Sequence, residues 1–192
     1  NVTINCVEDY AGIGLPRDVD ALLLIETDGH PAVVEEDAAV IESACRENHA
    51  RTLRTAKSLQ EAEELFTARR MALSALARSK PTTILEDITV PRPAIPEIMS
   101  CIKEMASKYN IRIGTFGHAG DGNMHPTCLT DERDQDEIHR VHEAYQVIFD
   151  KAISLGGTIS GEHGTGYAKS KYLPAMVGPK AIEVMKKIKA TF

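Results

Sequence analysis

Residues 111–126 read IRIGTFGHAGDGNMHP. β-Branched and aromatic residues fill Ile111–Phe116, which is a strand pattern. Asp121-Gly122 then falls between two extended runs, a strong signal for a two-residue hairpin turn. A hairpin makes the sheet antiparallel at this point. Taken literally, the turn opposes Gly120 to Asn123, Ala119 to Met124 and His118 to His125. Directly opposed residues share a face, with Cβ atoms roughly 4.5–5.5 Å apart. Two imidazoles so placed can hold one metal ion without further folding.

Working outward, Pro93–Tyr109 reads as a helix with Ile95, Ile98, Met99, Ile102 and Met105 on its inner face. Thr82–Leu85 is strand-like and leads into Glu86–Pro91. Leu59–Arg78 has the spacing of one long helix, broken before Pro81. Arg51–Ala56 reads as a short strand, Ala32–Asn48 as an amphipathic helix, and Ala21–Thr27 as a buried strand. Asn1–Pro16 reads as a weak helix that stops at Gly12. Alternating strands and helices of this kind predict an α+β fold. The expected sheet is ferredoxin-like and mainly antiparallel, with helices on one face, over residues 1–130. Residues 131–192 read as a mostly helical C-terminal region. In it Thr130 caps a helix from Asp131 to about Leu155, which ends at Gly156-Gly157, and Pro179 opens a final helix.

Composition limits the function classes. The chain has 192 residues, 43% apolar and 26% charged, which suffices for a packed core and excludes a disordered chain. Its net charge is −6, from 22 Lys and Arg against 28 Asp and Glu. Without a basic block, nucleic acid is not an expected partner. The longest apolar run, Ala21–Ile25, is far short of the roughly 18–20 residues that cross a bilayer, so no transmembrane segment is expected. Cys6, Cys45, Cys101 and Cys128 have no CxxC spacing and read as reduced thiols of a cytoplasmic protein. Asn1 in place of a methionine reads as an excerpt of a longer chain.

A second cluster, GTISGEHGTG at residues 157–166, packs four glycines around Glu162 and His163. Core packing does not call for adjacent Glu and His between glycines, whereas backbone access to a ligand does. Glu162 completes a two-histidine, one-carboxylate set with His118 and His125. Such sets hold Zn²⁺, Mn²⁺ or Fe²⁺ and leave coordination positions open for substrate. The remaining groups read as surface: His30 and His49 at element ends, His139 and His142 on a charged helix, and Glu86, Asp87 and Arg92 as an ion cluster. Of Arg69 and Arg70, at most one faces a site.

The two glycine–histidine motifs, with LLLIETDG (22–29), FTARRMALSALAR (66–78), EDITVPR (86–92) and LGGTISGEHGTGYAK (155–169), run in one order along nearly the whole chain. In these the chain resembles the C-terminal cap domain of FAD-linked oxidases of the vanillyl-alcohol-oxidase type, on the glycolate oxidase and D-lactate dehydrogenase branch. The resemblance implies His118, His125 and Glu162 as metal ligands and His163 as the general base beside the flavin. It implies Arg69 as the partner of a substrate carboxylate and Asn123 as a group that orients substrate. Phe66 stands where the family commonly has tryptophan. The resemblance further implies a small 2-hydroxy acid as substrate and FAD held mainly by an N-terminal domain of the same full-length chain, outside these residues. By the same resemblance the partners are a second flavin-type subunit and an iron–sulfur subunit. The expected location is then the cytoplasm, at the inner face of the membrane through those subunits. The isolated chain is expected to be inactive.

Two other classes stay open on the residues alone. A zinc hydrolase needs only two His, one Glu and an activated water. A non-catalytic ferredoxin-like binding module needs the histidines merely to staple a hairpin.

Overall fold

The computed structural model describes all 192 residues. Its sheet is antiparallel throughout, and its central strand is β4 (Asn123–Thr130). On one side β4 pairs with β3 (Arg112–His118), and on the other with β1 (Thr82–Leu85) and β2 (Ile88–Thr89). β1 and β2 keep one register against β4, since Leu85 faces Thr127 and Ile88 faces Met124. They are one strand interrupted at Glu86-Asp87, opposite Pro126 and His125. Pro126 explains the interruption. Glu86 N–H still donates to the Pro126 carbonyl (2.9 Å), but proline has no N–H to return. Tyr145 fills the neighbouring gap. Its hydroxyl accepts from Cys128 N–H (3.0 Å) and lies 3.0 Å from the carbonyls of both Ile84 and Pro126.

A single antiparallel bridge, Thr89 to Thr158, adds a fourth strand position outside β2. The chain order is then strand (β1/β2), α1 (Ile95–Lys108), β3, β4, α2 (Gln135–Ser154) and the bridge at Thr158. Across the sheet the positions run Thr158, β1/β2, β4, β3, which is the β-α-β-β-α-β arrangement of a ferredoxin-like unit. The fold is α+β, as expected, but its strands are not all the expected ones. Ala21–Thr27 and Arg51–Ala56 form no strand. The apolar run has no neighbour to pair with, and Leu22, Leu23 and Ile25 are exposed.

Both α1 and α2 lie on one face. Ile98, Ile102 and Met105 of α1 meet Val141, Tyr145, Ile148 and Phe149 of α2 over Ile88, Ile113, Met124 and Cys128. Each such buried side chain contributes roughly 1.5–3 kcal/mol. Residue 130 therefore does not divide two cores, because α2 belongs to the same core as the sheet. The other face is only half covered. Helices α3 (Val2–Ala11) and α4 (Ala72–Ala77) bury Cys6, Val7, Ala72, Ala75 and Leu76 around Leu129. Helices thus stand on both faces, not one, and the uncovered half of this second face is where the site lies.

Other boundaries shift for local reasons. Leu59–Arg78 is two helices, α5 (Leu59–Arg70) and α4, joined at Met71. Only α4 has buried residues, so only α4 turns in to pack. Asp134, not Thr130, caps α2 by accepting from Glu137 N–H (2.9 Å), while Thr130 donates to the Glu137 carboxylate. Residues 31–47 form the predicted helix, Pro31–Glu47, without burying any side chain. The last helix, Leu173–Thr191, kinks at Gly178, and Pro179 follows the kink. No helix is long and apolar enough to cross a membrane.

Candidate active site

The site begins with register. β3 and β4 pair His118 with Asn123 and Phe116 with His125, two residues away from the pairing a two-residue turn requires. The expected direct opposition of His118 and His125 is therefore wrong. The loop has four residues, Ala119–Gly122. Asp121 N–H donates to the His118 carbonyl and Gly122 N–H to the Ala119 carbonyl. Gly122 fixes this loop. It has φ 74°, and a Cβ there would lie 1.9 Å from the Val90 carbonyl oxygen. A two-residue slip leaves side chains on the same face, since their period along a strand is two. The imidazoles thus still meet, diagonally, with ring centroids 5.7 Å apart and planes at 89°.

Two rows of side chains cross the open face. One is Asp87, His125, Phe116, and the next is Thr89, Asn123, His118. The 157–166 loop lies over them, tied by the Thr89–Thr158 bridge. Gly161 allows this close approach, because a Cβ there would fall 2.0 Å from Asn123 Nδ2. Glu162 Oε1 is then 3.1 Å from His125 Nε2 and 3.8 Å from His118 Nε2. One ligand atom from each of the three lies within 4.8 Å of the others. Tetrahedral bonds of about 2.1 Å place ligand atoms about 3.4 Å apart. The donor set, two neutral imidazoles and one carboxylate, suits Zn²⁺, Mn²⁺ or Fe²⁺, so the residues fit a divalent cation. Asp87, His125 and His163 also cluster, but both Asp87 oxygens are already engaged by protein donors and cannot be spared.

His125 is 3% exposed. Burial pushes its pKa below the ordinary value, against the nearby carboxylates of Asp87 and Glu162, with His163 and His118 adding to the lowering. Burial thus favours the neutral ring, the state in which imidazole binds a cation. His163 stacks on it at 5.0 Å with planes 11° apart, and its Nε2 is 3.6 Å from Glu162 Oε1. Both His118 and His163 are about half exposed. A polar cleft of about 390 Å³, lined by Thr89, His118, Asp121, Asn123, Gly161 and Glu162, opens beside them.

The two arginines separate clearly. Arg70 pairs with Glu63 at 2.5 Å. Arg69 takes part in no ion pair, and its guanidinium carbon lies 5.1 Å above the Phe116 ring, which in turn lies 5.4 Å from His125. Asn123 is 5% exposed, and its observed contacts are to the scaffold. Its amide nitrogen donates to Asp87 Oδ1 (2.5 Å), Thr89 Oγ1 (3.1 Å) and the Ile88 carbonyl (3.3 Å).

Sequence reasoning missed two groups. Asp87 was expected at the surface and is 0% exposed. Burial alone would raise its pKa, but the amides of His163 and Glu162 and the side chains of Asn123 and Ser160 hold it far below the ordinary value of 3.8. The stability this contributes is full above that value and is lost as pH falls through the lower, folded-state pKa. In the metal-free protein, stability measured by denaturant titration should fall more steeply below about pH 4 in wild type than in Asp87→Asn. Equal acid slopes would contradict this. The second missed group is Lys169, 6% exposed. It donates to the carbonyls of Asp87 (3.0 Å) and Ile159 (2.9 Å) and pairs with Glu86 (2.9 Å). The only signal for Asp87 was its position just before a strand end and its place in EDITVPR. His139 and His142 are exposed, as expected.

The open half of the antiparallel sheet thus carries a two-histidine, one-carboxylate cluster, a stacked third histidine and an arginine outside any ion pair. Over residues 1–192 the chain matches the family described as FAD linked oxidases, C-terminal domain, and it belongs to that family. It is 54% identical over 190 residues to glycolate oxidase subunit GlcD of Bacillus subtilis (strain 168), covering 99% of this chain and 40% of that protein. To glycolate oxidase subunit GlcD of Escherichia coli (strain K12) it is 33% identical over 192 residues, covering 100% and 38%. To the probable mitochondrial D-lactate dehydrogenase of Danio rerio it is 34% identical over 175 residues, covering 90% and 35%. The chain spans two-fifths or less of the length of these relatives.

Proposed function

We propose that this domain forms the substrate-facing wall of an FAD-dependent 2-hydroxy-acid dehydrogenase, of the glycolate or D-lactate type. What supports this most is the meeting of His118, His125 and Glu162 on one face, with His163 stacked against His125 and Arg69 free beside Phe116. The names of the relatives add the substrate class: glycolate and D-lactate both carry a hydroxyl next to a carboxylate. Bound flavin would supply the two-electron acceptor, and a divalent cation would acidify the substrate hydroxyl. His118 Nε2, His125 Nε2 and Glu162 Oε1 are the atoms that would hold that cation.

The chain's own residues then divide the work. Arg69 binds the substrate carboxylate, for which its planar fork and permanent charge are suited. His163 takes the hydroxyl proton at Nε2, the ring nitrogen it holds toward Glu162, as a neutral imidazole can accept a proton through its free nitrogen. Stacking on His125 fixes the ring for that task. Asn123 orients the site from the cleft wall while its amide restrains Asp87. The second flavin-type subunit, the iron–sulfur subunit and a place at the inner face of the cytoplasmic membrane belong to the same proposal.

The test is anaerobic reduction of the full-length flavoprotein. Glycolate or D-lactate should bleach the flavin band, and prior chelation should abolish the bleaching. A protein whose flavin is indifferent to every 2-hydroxy acid, but which cleaves esters or peptides with metal, would be a hydrolase instead.

A further inference from the structure

Asp87 gathers more donors than any other side chain of the site. Oδ2 accepts from Ser160 Oγ (2.9 Å) and from the backbone N–H groups of Gly161 (2.8 Å), Glu162 (2.9 Å) and His163 (2.8 Å). Oδ1 accepts from Asn123 Nδ2 (2.5 Å) and lies 3.8 Å from His125 Nδ1. Three successive amides turned toward one point form an anion-binding nest. Here the protein's own carboxylate occupies that nest. The two residues whose amides are gripped, Glu162 and His163, are the loop's ligand and its base. The residue facing Asp87 across the sheet, His125, is the buried ligand of β4. Lys169 closes the same joint from behind, bridging the Asp87 and Ile159 carbonyls.

We propose that Asp87 is the positioning residue of the candidate metal centre. Its carboxylate fixes the backbone that carries Glu162 and His163 and faces His125 Nδ1, so that ligands from the hairpin and from the loop are set before a cation arrives. The inference rests on the metal reading above and adds to it the group that assembles the site. Metal-bound histidines are commonly oriented through the ring nitrogen away from the metal, by a carboxylate among other groups. Asp87 stands on that side of His125, with Glu162 at Nε2 on the other. It also explains why a charged group is retained with no solvent exposure: five donors replace its water.

The experiment is a Co²⁺ titration of the full-length flavoprotein, read in the d–d bands, for wild type, Asp87→Asn, Ser160→Ala and His118→Ala. Hydrogen exchange over residues 158–168 is followed in the metal-free proteins. Asp87→Asn should weaken Co²⁺ binding by about 10–100-fold and change the d–d spectrum at saturation, because the backbone carrying Glu162 loses its anchor and His125 Nδ1 no longer faces a carboxylate. A role in stability alone would leave the saturated spectrum unchanged, and that result overturns the proposal. Ser160→Ala removes one bond and keeps the carboxylate, so its loss should be smaller. Exchange on wild type decides the matter even if Asp87→Asn does not fold. Amides 161–163 should be protected without metal, and exchange as fast as at 164–166 overturns the proposal. Wild-type affinity and spectrum in Asp87→Asn overturn the positioning role and leave the metal site standing. A wild-type protein that takes up no Co²⁺, like His118→Ala, brings down the metal reading and this inference together.

Discussion

Alanine at His118 or His125 is expected to empty the cation site and to cost the full-length flavoprotein about 100-fold or more in turnover. Each change removes one of three converging ligand atoms, and Glu162 with one imidazole is too few for a divalent ion near neutral pH. The two variants should differ in stability. His118 is half exposed, so His118→Ala should unfold close to wild type. His125 is buried between Phe116, His163 and Asp87, and deleting its ring leaves a cavity that should cost about 2 kcal/mol or more. Metal content by mass spectrometry and denaturant midpoints check both parts. Unchanged metal content in either variant contradicts the ligand assignment.

His163→Ala should behave differently. The three ligands remain, so metal content should match wild type, while flavin reduction by a 2-hydroxy acid should slow by about 10²–10⁴-fold, the usual range for loss of a general base. Rapid mixing under anaerobic conditions isolates that step from reoxidation. His163 is half exposed and stacks on His125 without being needed to hold it, so the fold should survive. A single-turnover rate equal to wild type would remove His163 from the chemistry and leave the metal centre intact.

Much of this site was legible in the sequence because its markers are local. Asp121-Gly122 between extended runs announces a hairpin, and GTISGEHGTG announces an open backbone. The slip of the register from a two-residue to a four-residue loop was not legible. It depends on Gly122 meeting the Val90 carbonyl, a contact with a distant strand end. The pairing of the histidines survived the error because a slip of two preserves the face. Asp87 was misread for a related reason. Its donors lie 36 and 73–76 residues away, so nothing beside it in the chain marks it as buried. Ala21–Thr27 failed as a strand because apolar composition reports a tendency to be covered, not which partner does the covering. The ferredoxin-like unit was named correctly from a partly different set of strands: Thr82–Leu85 is observed as read and Ile111–Phe116 is observed as 112–118, while the full length of β4 and the Thr158 position replace the strands expected at 21–27 and 51–56.

One cation is expected to bind between the hairpin and the glycine loop. Crystals of the full-length flavoprotein soaked in Mn²⁺ or Zn²⁺ and measured at the absorption edge test it most directly. One anomalous peak is expected within about 2.0–2.3 Å of His118 Nε2, His125 Nε2 and a Glu162 oxygen. A peak elsewhere, or three ligands bare at saturating metal, would contradict it.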